Sequence, residues 1–207
     1  MKERRLSIAA ADGTGVAQEL PCPGASCEPT DWSPDGRSLI VNTRLTTSRA
    51  GDVWRVSLEA GGSAKAILSG PFPEYDARIS PNGQWLAYVS EETGRPVVSV
   101  RAMSGPPSRL VASGDGGSQP VWRRDGQELL YVDLDGRLRG RSVLRQPTGE
   151  LTLGVATALS VPLIGPGHWG TQYDVSPDGQ IVYFIDRTPA PRPSDIGVVI
   201  GWRALLK

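Results

Sequence analysis

Apolar residues in this chain come in short, dense bursts. Leu39-Ile40-Val41, Trp85 to Val89, Leu129 to Val132 and Ile181 to Ile185 are nearly continuous runs rather than alternating ones. A strand with that pattern is buried on both faces. Each run follows within a few residues of one repeated signature: Trp32-Ser33-Pro34-Asp35-Gly36, Ile79-Ser80-Pro81-Asn82-Gly83, Trp122-Arg123-Arg124-Asp125-Gly126 and Val175-Ser176-Pro177-Asp178-Gly179. Proline presets φ for the first central position of a β-turn, Asp or Asn bonds its own local backbone, and Gly accepts positive φ. Each signature is therefore a tight turn between an inner strand and a strongly apolar second strand. Asp35, Gly36, Asn82, Gly83, Asp125, Gly126, Asp178 and Gly179 are read as its structural residues.

The signatures start 47, 43 and 53 residues apart. A period of this length, with a few short strands per unit, is that of a β-propeller, whose blades are each sandwiched between two neighbours. Third strands are expected over Asp52 to Leu58, Pro96 to Ala102 and Arg137 to Val143. Fainter fourth strands are expected over Ala64 to Leu68, Ser108 to Val111 and Ala156 to Val161. With 25 glycines and 18 prolines in 207 residues there is little room for helix. The expectation is one all-β domain, a partial propeller of four-stranded antiparallel blades. Residues 1–20 form outer strands of an incomplete blade, joined at Asp12-Gly13-Thr14-Gly15. Residues 21–70, 71–114, 115–162 and 163–207 form four repeat units, about four and a half blades in all. Such an arc leaves open sheet edges and a bare blade face. The expectation is that Met1 is an internal or misassigned start, and that missing N-terminal blades or a second copy pair with the open edges.

The 22 basic and 22 acidic side chains are well mixed and the formal charge is zero, so the basic footprint of a nucleic-acid binder is missing. Leu6 to Ala11 is too short for the apolar core of a signal peptide, and no run approaches the length of a membrane span. Cys22 and Cys27 lie in a Gly/Pro-rich loop, where they either close a small disulfide, as suits an oxidising compartment, or remain two loop thiols. No metal site is expected, since one histidine cannot complete a tetrahedral set with them. No cofactor is expected.

The runs Thr30 to Arg37, Ala87 to Gly94, Gly117 to Leu129 and Tyr173 to Gly179 resemble TolB-like (WD-type) β-propeller repeats. Their order, with the terminal Val198 to Leu206, is closest to the C-terminal propeller of bacterial eukaryotic-like Ser/Thr protein kinases; some bacterial transcription regulators carry the same type. The resemblance runs from about Asp31 to the end of the chain. Gln119 stands where the family often has Glu, which removes a carboxylate from the channel end of a strand, and Gly201 stands where it often has Asn. The resemblance implies a non-catalytic sensory or protein-interaction module. Its location is extracytoplasmic if the parent is a membrane-spanning kinase and cytoplasmic otherwise. The chain has no kinase Gly-rich loop, strand lysine or catalytic-loop Asp. Gly114 to Gly117 is a turn before a strand rather than a phosphate cradle.

Prolyl-oligopeptidase-like peptidases offer an alternative parent, and a free-standing TolB-like scaffold a third. A peptidase would run on into a hydrolase domain with a Gly-x-Ser-x-Gly elbow, and no such pentapeptide occurs. The terminal Trp202 to Lys207 ends where the kinase-type propellers end. His168 lies in a loop beside Trp169 and is read as surface, with ligand contact the secondary reading. Trp32 and Trp122 share one repeat position and are expected to pack between blades. Loops leading into the inner strands, Glu28 to Thr30, Glu74 to Asp76, Ser118 to Pro120 and Gln172 to Asp174, would form one rim of the channel. Glu74, Tyr75, Gln119 and Tyr173 are the candidate contacts for a protein or peptide partner.

Overall fold

The structure, a computed structural model, describes residues 6–44, 51–59, 61–105, 108–146, 149–159, 161, 171–185 and 195–199. It is all-β and built from antiparallel sheets that follow one another along the chain. A hairpin of β1 (Leu6–Ile8) and β2 (Gln18–Leu20) comes first. The first blade is β3 (Ser26–Trp32), β4 (Ser38–Arg44), β5 (Val53–Ser57) and β6 (Ala64–Leu68), paired in that order. The second is β7 (Glu74–Ile79), β8 (Trp85–Ser90), β9 (Val97–Ala102) and β10 (Leu110–Val111).

The third blade begins with β11 (Ser118–Trp122), β12 (Glu128–Val132) and β13 (Leu138–Arg145). Its fourth layer is split: β14 (Leu151–Leu153) pairs with the far end of β13 and β15 (Thr157–Ala158) with its near end. The sequence reading missed β14. A hairpin turn at Gln146, closed by Gly149 at φ 85°, lets the unusually long β13 fold back on itself before the chain reaches β15. In the fourth blade β16 (Tyr173–Val175), β17 (Ile181–Ile185) and β18 (Asp195–Val199) are described.

The apolar runs are buried on both faces because each blade lies between two others. Along β12, Leu129 and Tyr131 meet Ala87, Val89, Val98 and Val100 of the second blade. Leu130 and Val132 face the other way, onto Val175, Ile181 and Tyr183 of the fourth. Ile40 and Val53 join Ile79, Leu86 and Tyr88 between the first and second blades. Leu6 and Leu20 of the hairpin cover Leu39, Val41 and Val56 on the outer side of the first.

The turns share one mechanism. Gly36, Gly83, Gly126 and Gly179 have φ between 68° and 85°, and each donates its N–H to the carbonyl of Ser33, Ser80, Arg123 or Ser176. Oδ1 of Asp35 accepts from the Ser33 hydroxyl at 2.6 Å, and Oδ1 of Asn82 does so from Ser80 at 2.6 Å. Asp178 repeats the contact with Ser176. Those hydroxyl bonds hold the carboxyls of Asp35 and Asp178 below the ordinary aspartate value. The third blade has Arg123 instead of serine, and its guanidinium binds both oxygens of Asp125 and reaches Glu128 at 2.9 Å. Cys22 and Cys27 are joined in a disulfide, with Cα atoms 5.8 Å apart.

Trp32 departs from expectation. Trp122 is buried against the second blade and its indole N–H donates to the carbonyl of Arg78 at 3.0 Å. Trp32 is 49% exposed, because the hairpin reaches only the outer part of the face on which it lies.

Candidate functional site

The segments expected as loops leading to the channel belong instead to the inner strands. Glu28 to Thr30 lie in β3, Glu74 to Asp76 in β7, Ser118 to Pro120 in β11, and Tyr173 and Asp174 in β16. Three of these strands are bulged at one repeat position: register shifts between Pro29 and Asp31, between Tyr75 and Arg78, and between Ser118 and Val121. Asp76 and Gln119 occupy equivalent places in two bulges and have φ of 51° and 56°. Side chains other than glycine rarely adopt this left-handed conformation, and such strain persists where the surroundings impose it. A bulge bends its strand and re-aims a side chain.

The bulged ends meet in a hydrogen-bonded belt that ties blade to blade. Asp31 accepts the backbone N–H of Ile79 on Oδ2 at 2.7 Å and that of Trp32 on Oδ1 at 2.9 Å. Burial nevertheless pushes the Asp31 carboxyl above its ordinary value, against those bonds and the Arg78 charge. Gln119 is fully buried; its Oε1 accepts the N–H of Gln172 at 2.8 Å and its carbonyl accepts the Tyr173 hydroxyl at 2.8 Å. Gln119 and Tyr173 therefore hold the third and fourth blades together rather than standing on an exposed rim. Burial raises the pKa of the Tyr173 phenol well above its usual value.

Arg78 is the central residue of the belt. From the second blade it donates through Nη1 to the carbonyl of Thr30 in the first, and through Nη2 to the Thr171 hydroxyl, 2.9 Å away, beside the fourth. Its own carbonyl takes the Trp122 indole of the third. One residue thus touches all four blades. Its Nε is buried with no hydrogen-bond partner among the described residues, as is Oε1 of Gln172 next to Thr171. A buried donor and a buried acceptor left open are costly.

The other two candidates face the seams. Tyr75 packs in the cluster between the second and third blades and donates to Glu91 at 3.0 Å. Glu74 is half-buried, with Oε2 lacking a hydrogen-bond partner among the described residues. Burial first, then Asp52, raises its pKa above 4.5, against Arg101 and Arg109. A carboxyl whose folded pKa is raised binds its proton more tightly in the native state. Its contribution therefore favours the fold below the ordinary glutamate value and is lost as pH rises through the folded pKa. Glu74→Gln should raise the urea midpoint at neutral pH and leave it unchanged well below 4.5. An equal shift at both pH values would show that the charge is not what matters.

Sequence reasoning missed Arg78 and Asp31, and with them Arg101 and Arg141. These two arginines stand at equivalent register, opposite Leu86 and Leu129, and each reaches back one blade, to the carbonyls of Ile67 at 3.0 Å and Ala112 at 2.8 Å. An arginine at one register of consecutive repeats was the available signal. His168, Trp169, Gly201 and Trp202 to Lys207 lie outside the described residues. Among the described residues no three His, Cys, Asp or Glu side chains are grouped to hold a metal, and no helix is long and apolar enough to cross a membrane.

No protein-family model matches the chain. An uncharacterised protein of Agrobacterium fabrum is 27% identical over 160 residues, which are 76% of this chain and 50% of that protein. The chain thus spans about half the length of the curated relative it matches. TolB from Acinetobacter baumannii superposes with a TM-score of 0.64 at 15% identity, over 94% of this chain and 45% of that one. A puromycin-hydrolysing peptidase of Mycobacterium tuberculosis gives a TM-score of 0.61 at 17% identity, over 88% of this chain and 29% of that one. The chain has the fold of the TolB-like β-propellers.

Proposed function

We propose that this chain is a non-catalytic recognition module, the C-terminal regulatory or protein-interaction part of a bacterial Ser/Thr protein kinase. The ordered series of signatures and the terminal Val198 to Leu206, which resemble that class of propeller, support the parentage. One observation carries the binding role: Arg78 Nε and Gln172 Oε1, a buried donor and a buried acceptor with no partner among the described residues, in the strained belt where four blades meet. A main-chain peptide group offers a carbonyl to the first and an N–H to the second. The reading this favours is an extended polypeptide segment of a partner protein; both atoms are buried, so its binding requires the belt to open. A peptidase propeller or a free-standing TolB-like scaffold would present the same belt, and the TolB and peptidase superpositions suit those parents as well.

A photo-reactive amino acid placed at Thr171 in the source cells tests this, with the same residue at Glu19 on the outer hairpin as control. The expected result is a covalent adduct to one defined peptide, formed from Thr171 alone and lost when Arg78→Met is added. Equal labelling from both positions, or labelling indifferent to Arg78, would overturn the proposal.

A further inference from the structure

Four blades of one repeat let each position be compared with its equivalents. The last inner-strand residue before the turn faces the preceding blade in every unit. It is 7% exposed as Ile79, 6% as Trp122 and 4% as Val175, but 49% exposed as Trp32. The other end of the arc shows the same discontinuity. On the second strands, Ala87, Val89, Leu130 and Val132 face the following blade and are fully buried. Their equivalents in the fourth blade, Val182 and Phe184, are 41% and 52% exposed. Single exposed apolar residues are ordinary. Positions that are buried within the arc and open only at its two ends mark an interface with one side missing.

What belongs on the first face can be read from the structure itself. Leu6 and Leu20 of the hairpin already cover its outer part, on Leu39, Val41 and Val56. The hairpin stands where two outer strands of a preceding blade would stand, and among the described residues β1 is paired with β2 on one side only. The inner part, over Trp32, is where an inner strand pair would lie. The junction between the second and third blades supplies the template, since there the equivalent indole donates to a main-chain carbonyl of the preceding inner strand.

We propose that Trp32 and the open edge of β1 form a docking surface for an antiparallel pair of propeller inner strands, supplied by the same polypeptide ahead of residue 1. The pair adds to β1 through main-chain hydrogen bonds, as strands do at an open sheet edge. Its apolar side covers Trp32, and a carbonyl from its inner strand accepts the Trp32 indole N–H. Val182 and Phe184 form the far side of the same gap. A source within the polypeptide is favoured by length: the chain spans 50% of its curated relative and 45% of TolB, which carry the remainder in one chain. The proposal depends on the fold and not on the peptide-binding role.

Hydroxyl-radical footprinting with peptide mass spectrometry tests it on two samples. One is the 207-residue chain alone; the other is the protein isolated from its source cells with an antibody to this region. In the chain alone, Trp32 should be oxidised several-fold faster than Trp122. In the isolated protein the two rates should converge, and peptides from ahead of Met1 should be present. A longer native protein in which Trp32 stays as reactive as in the isolated chain would overturn the proposal. So would a native protein with no peptide ahead of Met1, whether Trp32 is exposed or is protected in a dimer of 207-residue chains.

Discussion

Trp122→Ala should destabilise the 207-residue chain by about 3–5 kcal/mol, the usual cost of removing a large aromatic side chain from a packed core. The indole fills the seam where Ala87, Val89, Val98 and Val100 of the second blade meet Leu129 and Tyr131 of the third. Its N–H also satisfies the carbonyl of Arg78, at the crossing of all four blades. The loss should therefore extend beyond one seam. The same change at Trp32, half open to water in this chain, should cost no more than about 1 kcal/mol. Urea unfolding of both variants measures the difference. Equal costs would mean that the shared repeat position, rather than the neighbouring blade, determines what a tryptophan contributes.

Arg123→Ala should cost about as much, roughly 3–5 kcal/mol, by stranding a buried carboxylate. Arg123 is almost fully enclosed and makes charge-assisted bonds to Asp125 and to Glu128, which is itself buried. The other blades carry no charged residue at the positions equivalent to Arg123 and Glu128. In the first, Ser33 and Ser38 stand at the equivalent positions, with hydroxyl oxygens 3.0 Å apart. Substituting both partners, Arg123→Ser with Glu128→Ser, should recover much of the loss. A double-mutant cycle by urea unfolding would detect that coupling. Additive losses would show that the arginine contributes by packing its stem rather than by pairing.

Most of the blade architecture was legible because its determinants are local. A Pro-Asp-Gly turn closes over its own residues, and a strand buried on both faces must be apolar at consecutive positions. Ala64 to Leu68 is a strand with the expected bounds, and the other third and fourth strands shift by a few residues. The belt was much less legible. Its geometry comes from bulges that place Asp76 and Gln119 at positive φ, where no sequence rule puts a glutamine. Gln119 and Tyr173, expected as rim contacts, are buried and serve each other across a seam. Arg78 is separated from Thr171 by a whole intervening blade, so nothing near it in sequence announces the contact. Trp32 shows the same limit, since its repeat position says which way it faces and not whether anything is there.

The central claim is that the belt around Arg78 binds a polypeptide segment, and affinity tests it most directly. A synthetic copy of the segment captured from Thr171 would be titrated by calorimetry against the wild-type chain and Gln172→Leu. That variant keeps the backbone N–H that bonds Gln119 and removes an oxygen with no partner among the described residues, so its stability should match wild type. The account predicts a loss of about tenfold or more in affinity, the effect of leaving one ligand N–H unpaired in a desolvated site. Unchanged affinity, with the variant folded, would contradict it.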